Sequence, residues 1–263
     1  MLIVEGEPVM NLQHPVRRIL DRISSGYYLE KHILKDGKKH PVAIICPGGS
    51  YRGVSSFVEG LPYAKKLNAM GYSAIVVHYR CGEKHPFPVP MEDLARAIRD
   101  VLDNRERWNL DVEGYSLWGS SAGGHLTASL CTDSMGYKNY DLPKPGALIL
   151  GYPVITMGAH AHPASRDYLL GKNQSPQLLE LTSVETQITS DFIPTFLWVG
   201  VADRNVDTQN SYLLADALDR CGVPHVFLPI EGVGHGVGVG EGLPCEGWIE
   251  KAVAFWEQHR RSY

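Results

Sequence analysis

Apolar residues along this chain fall into two alternating rhythms. Short unbroken runs, as in Val42-Ala43-Ile44-Ile45, read as strands buried on both faces, while runs spaced by three and four positions read as one-sided helices. In chain order the pattern predicts a strand over Pro41–Cys46, a helix over Leu61–Met70 closed at Gly71, and a strand over Tyr72–Val77. A Pro-rich loop at His85–Pro90 then precedes a helix from Met91 to Asn104, with Leu94, Ala97, Ile98, Val101 and Leu102 on one face. Further strands are predicted over Tyr115–Trp118, Gly146–Leu150, Thr195–Val199 and His225–Ile230, the last as a core strand. Helices follow at Leu126–Leu130, around Leu213–Leu218 and from Gly247 to His259.

Three segments depart from this alternation. Val16, Ile19, Leu20 and Ile23 make an amphipathic patch within residues 1–25, read as an N-terminal arm. Tyr27–Leu34 alternates weakly and meets the Asp36-Gly37 turn, which predicts a hairpin with the Pro41–Cys46 strand. Residues 154–190 are irregular and rich in Ser, His, Gly and Pro. Inserted after a strand, they suit a lid or substrate loop. Strands alternating with helices predict a mostly parallel, doubly wound α/β sheet with helices on both faces, in one domain spanning 1–263.

Composition narrows the function classes. A formal net charge of −4, with no long basic run, argues against nucleic acid as a partner. No apolar stretch approaches the roughly 18 residues of a membrane span, and the first apolar residues are too few for a signal peptide. Five cysteines without a C-x-x-C spacing read as thiols in a reducing compartment, so a cytoplasmic location is expected.

The candidate chemistry sits where strands end. Gly119-Ser120-Ser121-Ala122-Gly123 is a G-x-S-x-G sequence between a buried strand and a helix, the setting of a nucleophile elbow, with Ser121 at its apex. Asp203 leaves the strand ending at Gly200, and His235 lies between glycines after the His225–Ile230 strand. A serine hydroxyl needs a base to become a nucleophile, and histidine titrates near neutrality. A carboxylate then fixes the imidazole tautomer. Asp207 competes with Asp203 but is better placed to cap the following helix. His125 is expected to pack or cap, and His160 and His162 lack evident partners for a metal site. Oxyanion donors are expected from the Ala122 amide and from Gly49 or Ser50 in the Pro47-Gly48-Gly49-Ser50-Tyr51 loop. Tyr51, Trp118 and Tyr152 are expected to line a small acyl pocket.

Together these segments resemble the α/β-hydrolase esterase/lipase group related to hormone-sensitive lipase and acetylxylan esterases. Pro47–Tyr51, Gly119–Gly124, Gly200–Asp203 with Asn210-Ser211, and Gly234-His235-Gly236 carry the likeness. Tyr152–Thr156 and Leu169–Gly171 extend it toward bacterial carbohydrate esterases. The resemblance implies a Ser121–His235–Asp203 carboxylesterase without cofactor, acting on short acyl esters that include acetylated sugars. Peptidases, amidases and non-catalytic binding proteins share the fold and stay open on these residues alone. Two positions depart from the family pattern: Ser50 stands where a third glycine is frequent, and Asp207 where a proline is usual.

Overall fold

The computed structural model describes residues 26–172 and 174–260. The amphipathic patch in 1–25 lies outside them. The strands are β1 (Tyr28–His32), β2 (His40–Cys46), β3 (Ser73–His78), β4 (Leu110–Ser120), β5 (Ala147–Gly151), β6 (Thr195–Gly200) and β7 (His225–Ile230). The helices are α1 (Leu61–Ala69), α2 (Val89–Asp103), α3 (Ser121–Leu130), α4 (Pro163–Leu170), α5 (Pro176–Leu181), α6 (Gln209–Arg220) and α7 (Trp248–His259).

The seven strands form one sheet in the order β1-β3-β2-β4-β5-β6-β7. All neighbours are parallel except β1, which runs antiparallel to β3 with Tyr28 opposite His78. The hairpin expected between Tyr27–Leu34 and Pro41–Cys46 therefore does not form. The Asp36-Gly37 turn reverses the chain, but β3 lies between its two flanking strands. The expected core strand at His225–Ile230 is likewise an edge strand, half-buried along most of its length.

Strand pleating divides the core into two layers. Ile44, Ile75, Leu117, Leu148 and Leu197 face α2, α3 and α6. Their neighbours Ile45, Val76, Trp118, Ile149 and Trp198 face α1 and α7. Helices thus cover both faces of the doubly wound sheet, which is why its strands read as unbroken apolar runs.

Strand order reverses around β2 and β4. After β2 the chain builds outward to β3, then crosses back to β4 and continues through β5, β6 and β7. Loops at the carboxyl ends of β2 and β4 therefore diverge and leave a crevice between them, the usual ligand position in such sheets. Residues 154–190 are more regular than their composition suggests. They contain α4, α5 and a short turn at Val184–Thr186, and bury Ile155, Met157, Leu169, Leu170 and Val184 against the α3 layer.

Candidate active site

Ser121 stands at the junction of β4 and α3, in the left-handed backbone region with φ of 51°. Ser120 before it is extended, so the chain turns sharply within one residue. Such a conformation costs a non-glycine residue about 1–3 kcal/mol and persists only where its surroundings impose it. Three glycines permit the close approach. A Cβ on Gly119 would lie 2.4 Å from the Gly123 carbonyl oxygen, one on Gly123 2.0 Å from that of Cys46, and one on Gly48 2.7 Å from Ser121 Cβ. The Val154 amide bonds to the Ser121 carbonyl oxygen at 2.9 Å and fixes the turn from the β5 side.

His235 reaches this serine from the far end of the sheet. The Ala202 amide bonds to the Val233 carbonyl at 3.0 Å, drawing the loop after β7 against the loop after β6. A Cβ on Gly200 would lie only 2.2 Å from the Val233 carbonyl oxygen, so this approach needs glycine there. His235 Nδ1 lies 2.6 Å from Asp203 Oδ2 and Nε2 lies 2.9 Å from Ser121 Oγ. A carboxylate only accepts, so Nδ1 carries the proton and Nε2 is left to accept from the serine hydroxyl. The other Asp203 oxygen accepts the Asn205 and Val206 amides at 2.9 and 3.0 Å. Both oxygens are thus committed, and the side chain is fully buried. Asp207 is exposed and serves elsewhere: Oδ1 accepts the Gln209 amide and Oδ2 holds His160 Nδ1 at 2.7 Å.

On the β2 side, Gly49, Ser50 and Tyr51 all have positive φ, at 126°, 58° and 56°. Ser50 holds the backbone conformation that glycine adopts most easily, which accounts for glycine being frequent there in the resembling family. Gly49 and Ser50 N–H find no partner among the described residues. The Ala122 N–H belongs to the first turn of α3 and has no intrahelical acceptor. Gly48 N–H is already taken, donating to Glu59 Oε2 at 2.6 Å.

The three aromatic residues expected to line a pocket are placed differently. Trp118 is fully buried in the α1/α7 layer, bonded through Nε1 to Ser116 Oγ and packed on Trp248. It is the residue of β4 whose pleat points away from the α3 layer, so proximity in sequence does not bring it to the crevice. Tyr51 is also buried, and its hydroxyl bonds to His125 Nδ1 at 2.8 Å. That imidazole continues to the Thr182 carbonyl at 2.7 Å and ties the β2 loop to the segment after α5. Tyr152 is buried too, but its ring meets the His235 ring at a centroid distance of 4.7 Å. It supports the imidazole rather than lining an open cavity.

Sequence reasoning gave no role at the site to three further groups. Glu59 is buried in the turn Ser56–Gly60 and also accepts the Tyr152 hydroxyl, at 3.0 Å. Desolvation raises its pKa. Asn210 is fully buried and uses its whole amide: Oδ1 accepts the Ile155 and Thr156 amides, and Nδ2 donates to the His160 and Asp207 carbonyls. This carries the start of the 154–190 segment over the Asp203 loop. There His162, whose Nδ1 accepts the Ser165 amide, feels the charges of His235 and Asp203, and burial lowers its pKa. Of these, Asn210 had a sequence signal through the Asn210-Ser211 pair, His162 was weighed only as a metal ligand, and Glu59 had none.

A doubly wound sheet with a strained serine after its central strand defines an α/β-hydrolase fold, and comparison with known proteins narrows the class. The BD-FAE family model matches residues 29–144. An acetyl ester-xyloside bifunctional hydrolase from Caldicellulosiruptor lactoaceticus is 30% identical, with 98% of this chain and 95% of that one aligned at a TM-score of 0.79. Endo-1,4-beta-xylanase B of Butyrivibrio fibrisolvens is 31% identical over 82% of this chain and 35% of its own length. The acetylxylan esterase of Xylanibacter ruminicola is 33% identical over 56% of this chain and 30% of its own length. The chain spans about a third of the length of these two curated relatives. It belongs to the esterase branch of the α/β-hydrolases.

Proposed function

We propose that this protein is a serine carboxylester hydrolase acting on short acyl esters, in particular acetyl groups carried by carbohydrates. The observation that carries the reading is the continuous chain Ser121 Oγ–His235–Asp203, at 2.9 and 2.6 Å, beside free amides of the β2 loop. Ser121 attacks the ester carbonyl while His235 Nε2 takes the hydroxyl proton. The oxyanion accepts hydrogen bonds from Ala122 N–H and from Gly49 or Ser50 N–H, each such donor being worth about a hundred- to a thousandfold in rate. His235 then delivers its proton to the departing alkoxide, leaving an acyl-serine. Water attacks that ester with His235 again as base, and carboxylate and free serine are released.

The carbohydrate part of the proposal is supported by the acetylxylan esterase and the acetyl ester-xyloside hydrolase among the relatives. In keeping with it, neutral His162 holds Nδ1 as an acceptor, which leaves its Nε2–H, without a partner among the described residues, to donate within electrostatic reach of His235 and Asp203. Such a donor suits a hydroxylated alcohol better than a hydrocarbon chain. The proposed substrate is therefore a small polar ester, and the segment 154–190 is proposed as its covering loop.

Labelling with an organophosphate and mapping the modified residue tests the central assignment: the expected site is Ser121, and modification elsewhere removes it. Parallel assays on an acetylated xylo-oligosaccharide and on acetyl and octanoyl aryl esters test the substrate class. A clear preference for octanoyl would rule out the short-acyl reading.

A further inference from the structure

Burying a carboxylate is costly unless its oxygens are satisfied, and Glu59 is buried with both of its oxygens hydrogen-bonded. Its two oxygens join the two loops on which the proposed reaction depends. Oε2 accepts Gly48 N–H at 2.6 Å, at the root of the loop presenting Gly49 and Ser50. Oε1 accepts the Tyr152 hydroxyl at 3.0 Å, and that hydroxyl in turn accepts Gly238 N–H at 3.2 Å, in the loop carrying His235. The Tyr152 ring meets the His235 imidazole at 4.7 Å. Tyr63 closes the arrangement from α1, its hydroxyl lying 2.9 Å from Ser120 Oγ beside the nucleophile. The turn bearing Glu59 is itself folded onto the β2 loop, with Ser55 N–H on the Gly48 carbonyl at 2.8 Å and Glu59 N–H on the Ser55 carbonyl at 3.0 Å.

We propose that Glu59 is a positioning residue, acting through Gly48 and Tyr152 to hold the oxyanion loop and the His235 loop in register with Ser121. The idea rests on the esterase reading above. Without Glu59, Gly48 N–H loses its acceptor and the Tyr152 hydroxyl loses its anchor. Both loops then keep their covalent connections but lose the common reference that sets their separation. Rate falls steeply with such misplacement, because an oxyanion hole works only when its donors are already aimed at the developing charge. Substrate binding depends little on it, so kcat is expected to move and KM to stay.

Glutamine at this position separates placement from charge. Its carbonyl accepts Gly48 N–H, and its amide donates to the Tyr152 oxygen, whose own proton then turns to the Tyr63 hydroxyl, 3.5 Å away.

The experiment compares wild type, Glu59→Ala, Glu59→Gln and Tyr152→Phe on an aryl acetate, with Ser121→Ala as the inactive control. Each protein is also followed by amide hydrogen–deuterium exchange. Glu59→Ala is expected to lose about a hundredfold in kcat with KM changed less than about threefold, and Tyr152→Phe about tenfold in kcat. Glu59→Gln is expected to stay within about fivefold of wild type. Exchange should quicken at residues 48–51 and 235–239 in Glu59→Ala and remain as in wild type in Glu59→Gln. Full kcat in Glu59→Ala, or Glu59→Gln as weak as Glu59→Ala, overturns the proposal, the second by pointing to charge rather than placement. Should Glu59→Ala not fold, Glu59→Gln and Tyr152→Phe decide: wild-type kcat in Tyr152→Phe, or a hundredfold loss in Glu59→Gln, overturns it. If wild type hydrolyses no ester, the esterase reading falls. The exchange data then decide alone, and unchanged protection in both segments of Glu59→Ala or Tyr152→Phe overturns the coupling.

Discussion

Asp203 and Asp207 lie on the same loop and hold different histidines. The carboxylate of Asp203 is buried against His235 Nδ1 at 2.6 Å, while that of Asp207 is exposed and meets His160 Nδ1 at 2.7 Å. Distances alone would not rank them. Burial does, because an exposed ion pair is screened by water and contributes little, whereas a desolvated carboxylate with both oxygens committed fixes its partner rigidly.

Asp203→Asn is therefore expected to cut kcat by about a thousandfold or more, since an amide can donate to Nδ1 and impose the wrong tautomer on His235. Asp207→Asn should stay within about threefold of wild type. Steady-state kinetics on an aryl acetate checks both, and equal losses in the two variants would contradict the assignment.

The elbow makes a demand on stability as well. Gly123 approaches the Cys46 carbonyl so closely that an added Cβ would sit 2.0 Å from its oxygen and 2.5 Å from that of Pro47. Both obstacles are backbone, held in place because Cys46 pairs with Gly119 in the β2–β4 ladder. Neither can rotate aside as a side chain would. Gly123→Ala is expected to destabilise the protein by about 3 kcal/mol or more, measured as a fall in the urea midpoint. Gly53→Ala, with nothing near its added Cβ, is the matched control and should change little.

The fold was legible where burial is two-sided. Runs such as Ala74–Val77 read directly as parallel strands because both pleat faces meet helices. The β1 pairing was not legible, since the partners of a strand at the sheet edge are set by the whole topology and not by the nearest turn. The same limit governed the site. Ser121, Asp203 and His235 stand out because each follows a run that reads as a strand in the sequence, and parallel strands bring their carboxyl ends to one rim. Trp118 and Tyr51 also lie beside that rim in sequence, yet pleat direction and tight loop backbone turn them inward. Glu59 gave no signal, because its burial depends on Gly48 and Tyr152, which stand 11 and 93 positions away along the chain and meet it only in the fold.

Trp118 supplies a test of that correction. Its indole packs on Trp248 in the layer covered by α1 and α7, and its Nε1–H is satisfied by Ser116. Trp118→Phe should remove buried area and leave the Ser116 hydroxyl short of a partner, lowering stability by about 1–3 kcal/mol. KM for acetyl and butyryl esters should be unchanged within about twofold. A selective change in acyl preference would return Trp118 to the pocket.

The last expectation concerns acid. His125 is fully desolvated, with Nε2–H donating to the Thr182 carbonyl and Nδ1 accepting from the Tyr51 hydroxyl, so its neutral form fits the site without adjustment. Burial pulls its pKa from 6.5 down to about 4. In the unfolded chain the same ring takes up a proton near its ordinary value. Between those two pH values the unfolded state binds the extra proton, so stability falls as pH drops from 6.5 toward 4, by up to about 3 kcal/mol from this residue. His162, also lowered by burial, adds to the same trend. Glu59 and Glu185, both raised by desolvation, oppose it, because in the folded state they take up protons more readily than in the unfolded one. The contribution of His125 is isolated by subtraction: urea unfolding of wild type and His125→Gln at pH 7.5, 5.5 and 4.5. The variant is expected to be less stable at pH 7.5 and to lose less on acidification, so that the two curves converge. Parallel curves would mean that His125 keeps an ordinary affinity for protons despite its burial, and that the acid sensitivity arises elsewhere.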